Sequence, residues 1–313
     1  MGNGKWRDRE SAMTSGKPKI GFVGVGLMGH GMAKHIVEQG YPLTVLGHRN
    51  RVPVEDLLRR GAAEASSAAA LARASDIVFL CVTGTPQVEE LVNGPEGLKA
   101  GAHEGLIIAD CSTAIPSSTL ALAEAFKPLG VRFVDVPLAR TPKEAEEGRL
   151  NAFVGADEAT LDELMPVIQC WAENIIHIGP VGSAHSIKLI NNFIAMGTGA
   201  ILAEAFTAAR KAGLKPETLH RIISAGILNS GFYQNMAKWV IEGDPDSHRF
   251  TLRNCVKDIS YYNLLADSLP ITPLLRNAVK QTYSIALSQG RGDQYLPRVI
   301  DAMAEFNGVH AEA

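Results

Sequence analysis

A chain of 313 residues, 46% hydrophobic and 20% charged, has material for two domains with substantial cores. Its net charge of -3 gives nucleic acid or an acidic membrane surface no electrostatic reason to bind. No uninterrupted apolar run approaches the roughly 20 residues of a membrane helix, so no membrane partner is expected.

Residues 1–18 are polar and rich in Gly, Ser and Lys, without the apolar centre of a signal peptide. A disordered extension of a cytoplasmic protein is expected. Lys19 to Gly24 then reads as a short buried strand, and Gly24-Val25-Gly26-Leu27-Met28-Gly29 follows at once. From Leu27 to Glu38 the pattern is helical, with Gly40 as its terminator. Strand, Gly-x-Gly-x-x-Gly and helix in that order form the setting a dinucleotide requires. Gly24 supplies the tight turn, Gly26 lets the backbone approach a pyrophosphate, and Gly29 lets the helix pack on the strand. The helix N-terminus offers N–H groups and a positive dipole to the phosphates.

The second strand, Leu43 to Leu46, runs into Gly47-His48-Arg49-Asn50-Arg51. An NAD site usually has an acid here for the ribose 2′-hydroxyl, and none appears before Glu55. His48, Arg49, Asn50 and Arg51 suit a 2′-phosphate instead, through charge-assisted and bidentate bonds. NADP is therefore the expected cofactor and NAD the alternative. A solvated basic turn is the other reading of these residues.

Alternation of helix and strand continues. Helices are expected at Val54 to Arg60 and Ala68 to Ala74, around a small segment at Ala62 to Ala65. Asp76 to Val82 and Leu106 to Asp110 are continuous apolar strands, as a sheet covered on both faces demands. The first runs into a loop, Thr83-Gly84-Thr85-Pro86, and the second into Cys111-Ser112-Thr113. A helix at Pro116 to Leu129 and a strand at Val131 to Val136 follow. That strand delivers Pro137-Leu138-Ala139-Arg140-Thr141-Pro142. Asn151 to Val154, a helix from Glu158 to Ile168, and Ile175 to Ile178 complete a Rossmann-type doubly wound sheet over residues 19–181. Cys81, Cys111, Cys170 and Cys255 stand far apart, as free cytosolic thiols do. The nine histidines form no pair spaced for zinc, so no metal is expected.

After Gly179-Pro180 the strand pattern stops. One long helix from Ser183 to Ala212 places an interdomain helix at residues 182–213. Further helices at Pro216 to Ala225, Gly231 to Glu242, Leu252 to Leu269, Thr272 to Ser288 and Tyr295 to Glu305 make residues 214–308 an all-α domain. A cleft between the two halves is expected. On the long helix Lys188, Asn191 and Asn192 stand at i, i+3 and i+4 and share one face. That face carries one ammonium, able to exchange a proton, and two amides, able to orient what it acts on. A snorkelling lysine above polar neighbours is the bland reading.

Four stretches now stand in order: Gly21-Phe-Val-Gly-Val-Gly-Leu-Met-Gly29, Asp110-Cys-Ser-Thr113, the Lys188/Asn191/Asn192 helix and Lys257-Asp258. Together they resemble the β-hydroxyacid dehydrogenase family over nearly the whole chain, from Lys19 to about Phe306. The resemblance implies that Lys188 is the catalytic acid/base, with Asn192 as its helical neighbour. It implies that Ser112 and Thr113 touch nicotinamide and substrate, and that Lys257 lies close to the cofactor. Leu27 and Met28 fall in the phosphate-binding turn, and Val82 and Thr83 in the adjoining loop. Relatives are dimers or tetramers, so a homodimer or homotetramer is expected.

One departure bears on substrate. Many relatives follow Asp-x-Pro with Ser-Gly-Gly, whereas Asp135-Val136-Pro137 is followed here by Leu138-Ala139-Arg140-Thr141. The pattern is similar to members that grip a sulfonate through Gly-Arg-Thr, and Asn191-Asn192 shares that likeness. The expected substrate is a small anionic 3-hydroxy acid, carboxylate or sulfonate, or its semialdehyde. Ser112, Arg140, Thr141 and Asn191 are its expected binding residues. A structural salt bridge is the other reading of Arg140. The rival functions are an imine or amino-acid reductase on the same fold and a non-catalytic NADP(H)-binding module.

Overall fold

Three strands of four residues, Ile20–Val23, Ile77–Leu80 and Ile107–Asp110, are buried throughout and lie in the interior of the sheet that the first half of the chain builds. The computed structural model describes residues 16–309, so most of the extension expected at residues 1–18 lies outside the described residues. In chain order come β1 (Ile20–Val23), α1 (Gly29–Glu38), β2 (Leu43–Leu46), α2 (Val52–Arg59), β3 (Ala63–Ala65), α3 (Ala68–Arg73) and β4 (Ile77–Leu80). Next are α4 (Thr85–Asn93), α5 (Leu98–Gly101), β5 (Ile107–Asp110), α6 (Pro116–Phe126) and β6 (Arg132–Asp135). β7 (Leu138–Ala139), α7 (Pro142–Glu146), β8 (Leu150–Gly155), α8 (Glu158–Ile168) and β9 (Ala172–Gly179) close this half.

The sheet runs β3-β2-β1-β4-β5-β6-β8-β7, with β9 paired to β8. Its first six strands are parallel and follow the dinucleotide-binding order. The strand order reverses between β1 and β4, and ligands bind at such a switch point, outside the carboxyl ends of the strands. Beyond β6 the expected parallel alternation fails, because β8 runs antiparallel to both β6 and β7. β7 is too short for its sequence to betray it. α4 also occupies what read as the start of a loop: Pro86 sits in its first turn, where no N–H is needed. Two apolar clusters, around Phe22, Phe79 and Trp171 and around Leu80, Phe126 and Phe133, cover the sheet.

α9 (Ser183–Lys211) then runs for 29 residues, about 44 Å at helical rise. α10 (Pro216–Ser224), α11 (Gly231–Glu242), α12 (Leu252–Asp267), α13 (Arg276–Ser288) and α14 (Val299–Phe306) complete the helical half. By length and composition α9 is apolar enough to cross a membrane, which the sequence expectation did not allow for. Its Met196, Leu202, Ala203 and Phe206 are instead buried in the core of the helical half.

α9 is anchored at its start by the sheet. Both oxygens of the Asp135 carboxylate, at the end of β6, accept backbone N–H groups at the start of α9: those of Gly182, the residue before it, and of His185, each at 2.7 Å. A buried anion thereby satisfies two of the donors that a helix start leaves free, and it meets the positive end of the dipole. The His185 imidazole is wholly buried and donates from Nε2 to the Ser112 carbonyl at 3.1 Å, while Nδ1 meets the Thr119 hydroxyl at 2.7 Å. Lys188 stands one turn further on, so its backbone is fixed to the loop that carries Ser112.

Candidate active site

One cleft of about 1400 Å³ runs between the carboxyl ends of the strands and the helical half. The glycine turn forms one end. Gly24 has φ +94°, and a Cβ there would collide with the Cys81 carbonyl. A Cβ on Gly29 would collide with the Gly24 carbonyl, so the helix closes tightly onto the turn. Gly26 differs: a Cβ built on it meets no atom within 4 Å. The turn needs Gly24 and Gly29 for its own geometry, while Gly26 leaves open space against the cleft. That is the space a pyrophosphate needs in order to reach backbone N–H groups, so these residues fit a dinucleotide. Leu27, Met28, Val82 and Thr83 line the same end.

At the end of β2, His48 and Asn50 line the cleft, and Arg49 is exposed beside them. Arg51 departs from the expectation. Its guanidinium pairs bidentately with Glu64 on β3, at 2.6 and 2.8 Å, and a Cβ on Gly47 would strike both groups. The acid missing from the sequence near β2 thus arrives from the neighbouring strand, and it neutralises one of the two arginines.

The reactive groups meet in the middle of the cleft. Lys188 lines it together with Ser112, Thr113, Asn191 and Asn192. Desolvation of the half-buried Lys188 side chain is the main cause that brings its pKa down to about 8. Asp258 partly opposes that fall, and Lys257 adds to it. Asn192 is buried, and its amide donates to the Asp258 carboxylate at 2.7 Å. The other Asp258 oxygen lies 3.0 Å from the Lys257 ammonium. Lys257 also donates to the Thr83 carbonyl, joining the helical half to the loop after β4. The buried Ser112 hydroxyl accepts the Val82 N–H at 3.0 Å.

Two expected substrate residues are otherwise engaged. Arg140 lines the cleft, but its guanidinium donates to the Glu173 carboxylate and the Arg149 carbonyl, and so ties down the β8–β9 edge. Its backbone holds φ +83°, the one positive value outside glycine among the described residues. The guanidinium expected to grip an anion is thus paired with Glu173 in this structure, as in the salt-bridge reading of Arg140. Thr141 caps α7, and its hydroxyl donates to Glu144. Cys81 also lines the cleft, and burial pushes its thiol up to about 12, which removes it as a nucleophile.

Asp258 was visible in the Lys-Asp pair, although its task was not. Glu64 and His185 gave no signal, because their partners come from distant segments.

A glycine turn at the switch point of a parallel sheet, opening on one cleft, marks a dinucleotide-binding fold. Residues 19–179 match the family described as the NAD binding domain of 6-phosphogluconate dehydrogenase. Residues 182–302 match the one described as NAD-binding of NADP-dependent 3-hydroxyisobutyrate dehydrogenase. The chain therefore belongs to the β-hydroxyacid dehydrogenase family. It is 34% identical over 227 residues to 2-(hydroxymethyl)glutarate dehydrogenase of Eubacterium barkeri, covering 72% of this chain and 75% of that protein. It is also 34% identical over 215 residues to 2-hydroxy-3-oxopropionate reductase of Escherichia coli, covering 68% and 72%. A crystal structure of 3-hydroxyisobutyrate dehydrogenase from Salmonella typhimurium shares the fold, with TM-score 0.80 and 24% identity over 90% of this chain and 99% of that one.

Proposed function

We propose that this protein interconverts a small 3-hydroxy acid and its semialdehyde with NADP(H), using Lys188 as the acid/base. The observation that carries the proposal is Lys188 itself, a lysine whose pKa of about 8 lets both protonation states exist near neutral pH. When bound, the nicotinamide supplies the hydride in reduction and accepts it in oxidation. In reduction the Lys188 ammonium hydrogen-bonds the carbonyl oxygen and donates its proton as negative charge develops there. In oxidation the neutral amine takes the hydroxyl proton. Asn192, held by Asp258, orients the reacting end, and Ser112 and Thr113 supply donors to the acid group. Asn191 lines the cleft one turn from Lys188.

The preference for NADP rests on Arg49, exposed beside His48 and Asn50 with no carboxylate paired to it among the described residues. The division into residues 19–181, 182–213 and 214–308 is read as dinucleotide domain, connecting helix and helical domain. Assembly into a homodimer or homotetramer is supported by Ile187, Ile190, Ile194 and Ile201, exposed along α9.

The test is oxidation of NADPH and NADH with tartronate semialdehyde, succinic semialdehyde, methylmalonate semialdehyde, sulfolactaldehyde and one cyclic imine. Turnover of an acidic aldehyde with NADPH, lost in Lys188→Ala, is expected. Turnover of the imine alone, or a Lys188→Ala enzyme as fast as the parent, refutes the proposal.

A further inference from the structure

Besides its histidines, the cleft is lined by four side chains that carry positive charge: Arg140, Lys188, Arg249 and Lys257. Three have other tasks. Arg140 is paired with Glu173, and Lys257 is held by Asp258 and the Thr83 carbonyl. Lys188 is the proposed acid/base. Arg249 remains.

Arg249 lies in the segment between α11 and α12, on the wall contributed by the helical half. Its one carboxylate neighbour among the described residues is Asp246, at 3.8 Å, and both side chains are largely exposed. Such a pair contributes little and yields readily to a better placed anion. The Arg249 guanidinium also stands 5.8 Å from the centre of the Tyr295 ring, which borders the cleft as well.

The backbone that carries Arg249 is pinned in place. Leu296 N–H donates to the Phe250 carbonyl at 2.8 Å, and Leu252 N–H donates to the Gln294 carbonyl at 2.9 Å. Thr251 pairs with Tyr295 between them in an antiparallel bridge. Phe232 and Phe250 line the cleft on the same side. An arginine on a fixed segment, exposed and lining the same cleft, meets the conditions for binding a carboxylate bidentately.

We infer that Arg249 receives a second acid group of the substrate, so that the cleft is built for a dianionic hydroxy acid or semialdehyde rather than a monoanionic one. This rests on the reading of Lys188 as the acid/base, which fixes where the reacting end lies. The acid group nearer the reaction is met by Ser112 and Thr113, and the remote one by Arg249. Both groups are fully ionised at neutral pH, so the contact needs no proton exchange.

The experiment measures affinity, independently of turnover. The NADP-loaded protein is titrated calorimetrically with glutarate and with butanoate, which is glutarate with one carboxylate replaced by hydrogen. The parent protein is expected to bind glutarate at least tenfold more tightly. Arg249→Ala should reduce that ratio to about twofold or less without changing butanoate affinity, and Arg249→Lys should restore part of it. Melting curves check that each variant is folded. An unchanged ratio in Arg249→Ala, a parent that prefers butanoate, or a parent that binds neither acid overturns the inference. A parent that shows the ratio yet reduces no acidic aldehyde would keep the anion site and refute the proposed reaction instead.

Discussion

Asn192 on α9 donates a 2.7 Å hydrogen bond to Asp258 on α12, and the carboxylate it binds is the charge that limits the fall in the Lys188 pKa. One buried acid thus orients the amide and tunes the ammonium one helical turn before it. Replacing Asp258 by Asn keeps the shape and removes the charge. The Lys188 pKa is then expected to fall by about one unit further. Rate–pH profiles for reduction would show it as a descending limb displaced to lower pH. A limb that stays in place would detach Asp258 from Lys188.

The pH dependence of the parent follows from the same value. Reduction needs the ammonium, so its rate should decline as pH rises through about 8, while oxidation should rise through the same region. Lys188→Ala should lower kcat by roughly 10²–10⁴-fold with NADPH affinity retained. Turnover and cofactor fluorescence titrations measure the two effects separately.

Stability should move the opposite way. An unfolded lysine keeps its proton to about 10.5, and Lys188 in the fold only to about 8. Between those values the unfolded chain binds more protons, so stability increases with pH across that window. Lys188→Met should therefore be more stable than the parent at pH 7, by on the order of 1–3 kcal/mol, with the gain shrinking above about pH 8. Urea unfolding at pH 7 and 9.5 would measure it, and a less stable variant at pH 7 would contradict it.

The two glycines of the turn separate folding from binding. Gly24→Ala forces a side chain into φ +94° against the Cys81 carbonyl, and should destabilise the protein by more than about 1 kcal/mol. Gly26→Ala meets nothing in the fold, so its melting temperature without cofactor should match the parent's. Its NADPH affinity should fall, because the added methyl occupies the approach to the pyrophosphate. Thermal melts with and without NADPH distinguish these outcomes.

The proposed preference for NADP rests on which arginine is unpaired. Arg49→Ala should raise KM for NADPH roughly tenfold and leave that for NADH nearly unchanged. Glu64→Gln should act in the other direction, since it releases Arg51 from its bidentate pair. Steady-state kinetics with both coenzymes would decide it.

By itself the sequence determined whatever depends on local spacing. The glycine turn between β1 and α1, the apolar strands β4 and β5, and the Lys188/Asn192 face of α9 each lie within about ten residues, where periodicity and turn chemistry act directly. Only the tertiary structure decided which charges are neutralised. Arg51 and Arg140 read as anion receptors, yet Glu64 from β3 and Glu173 from β9 already hold them. Arg249 drew no notice in the sequence, and it is left with its guanidinium beside the cleft. The reason is physical: the availability of a guanidinium depends on the nearest carboxylate in space, and strand order rather than chain order brings that carboxylate near.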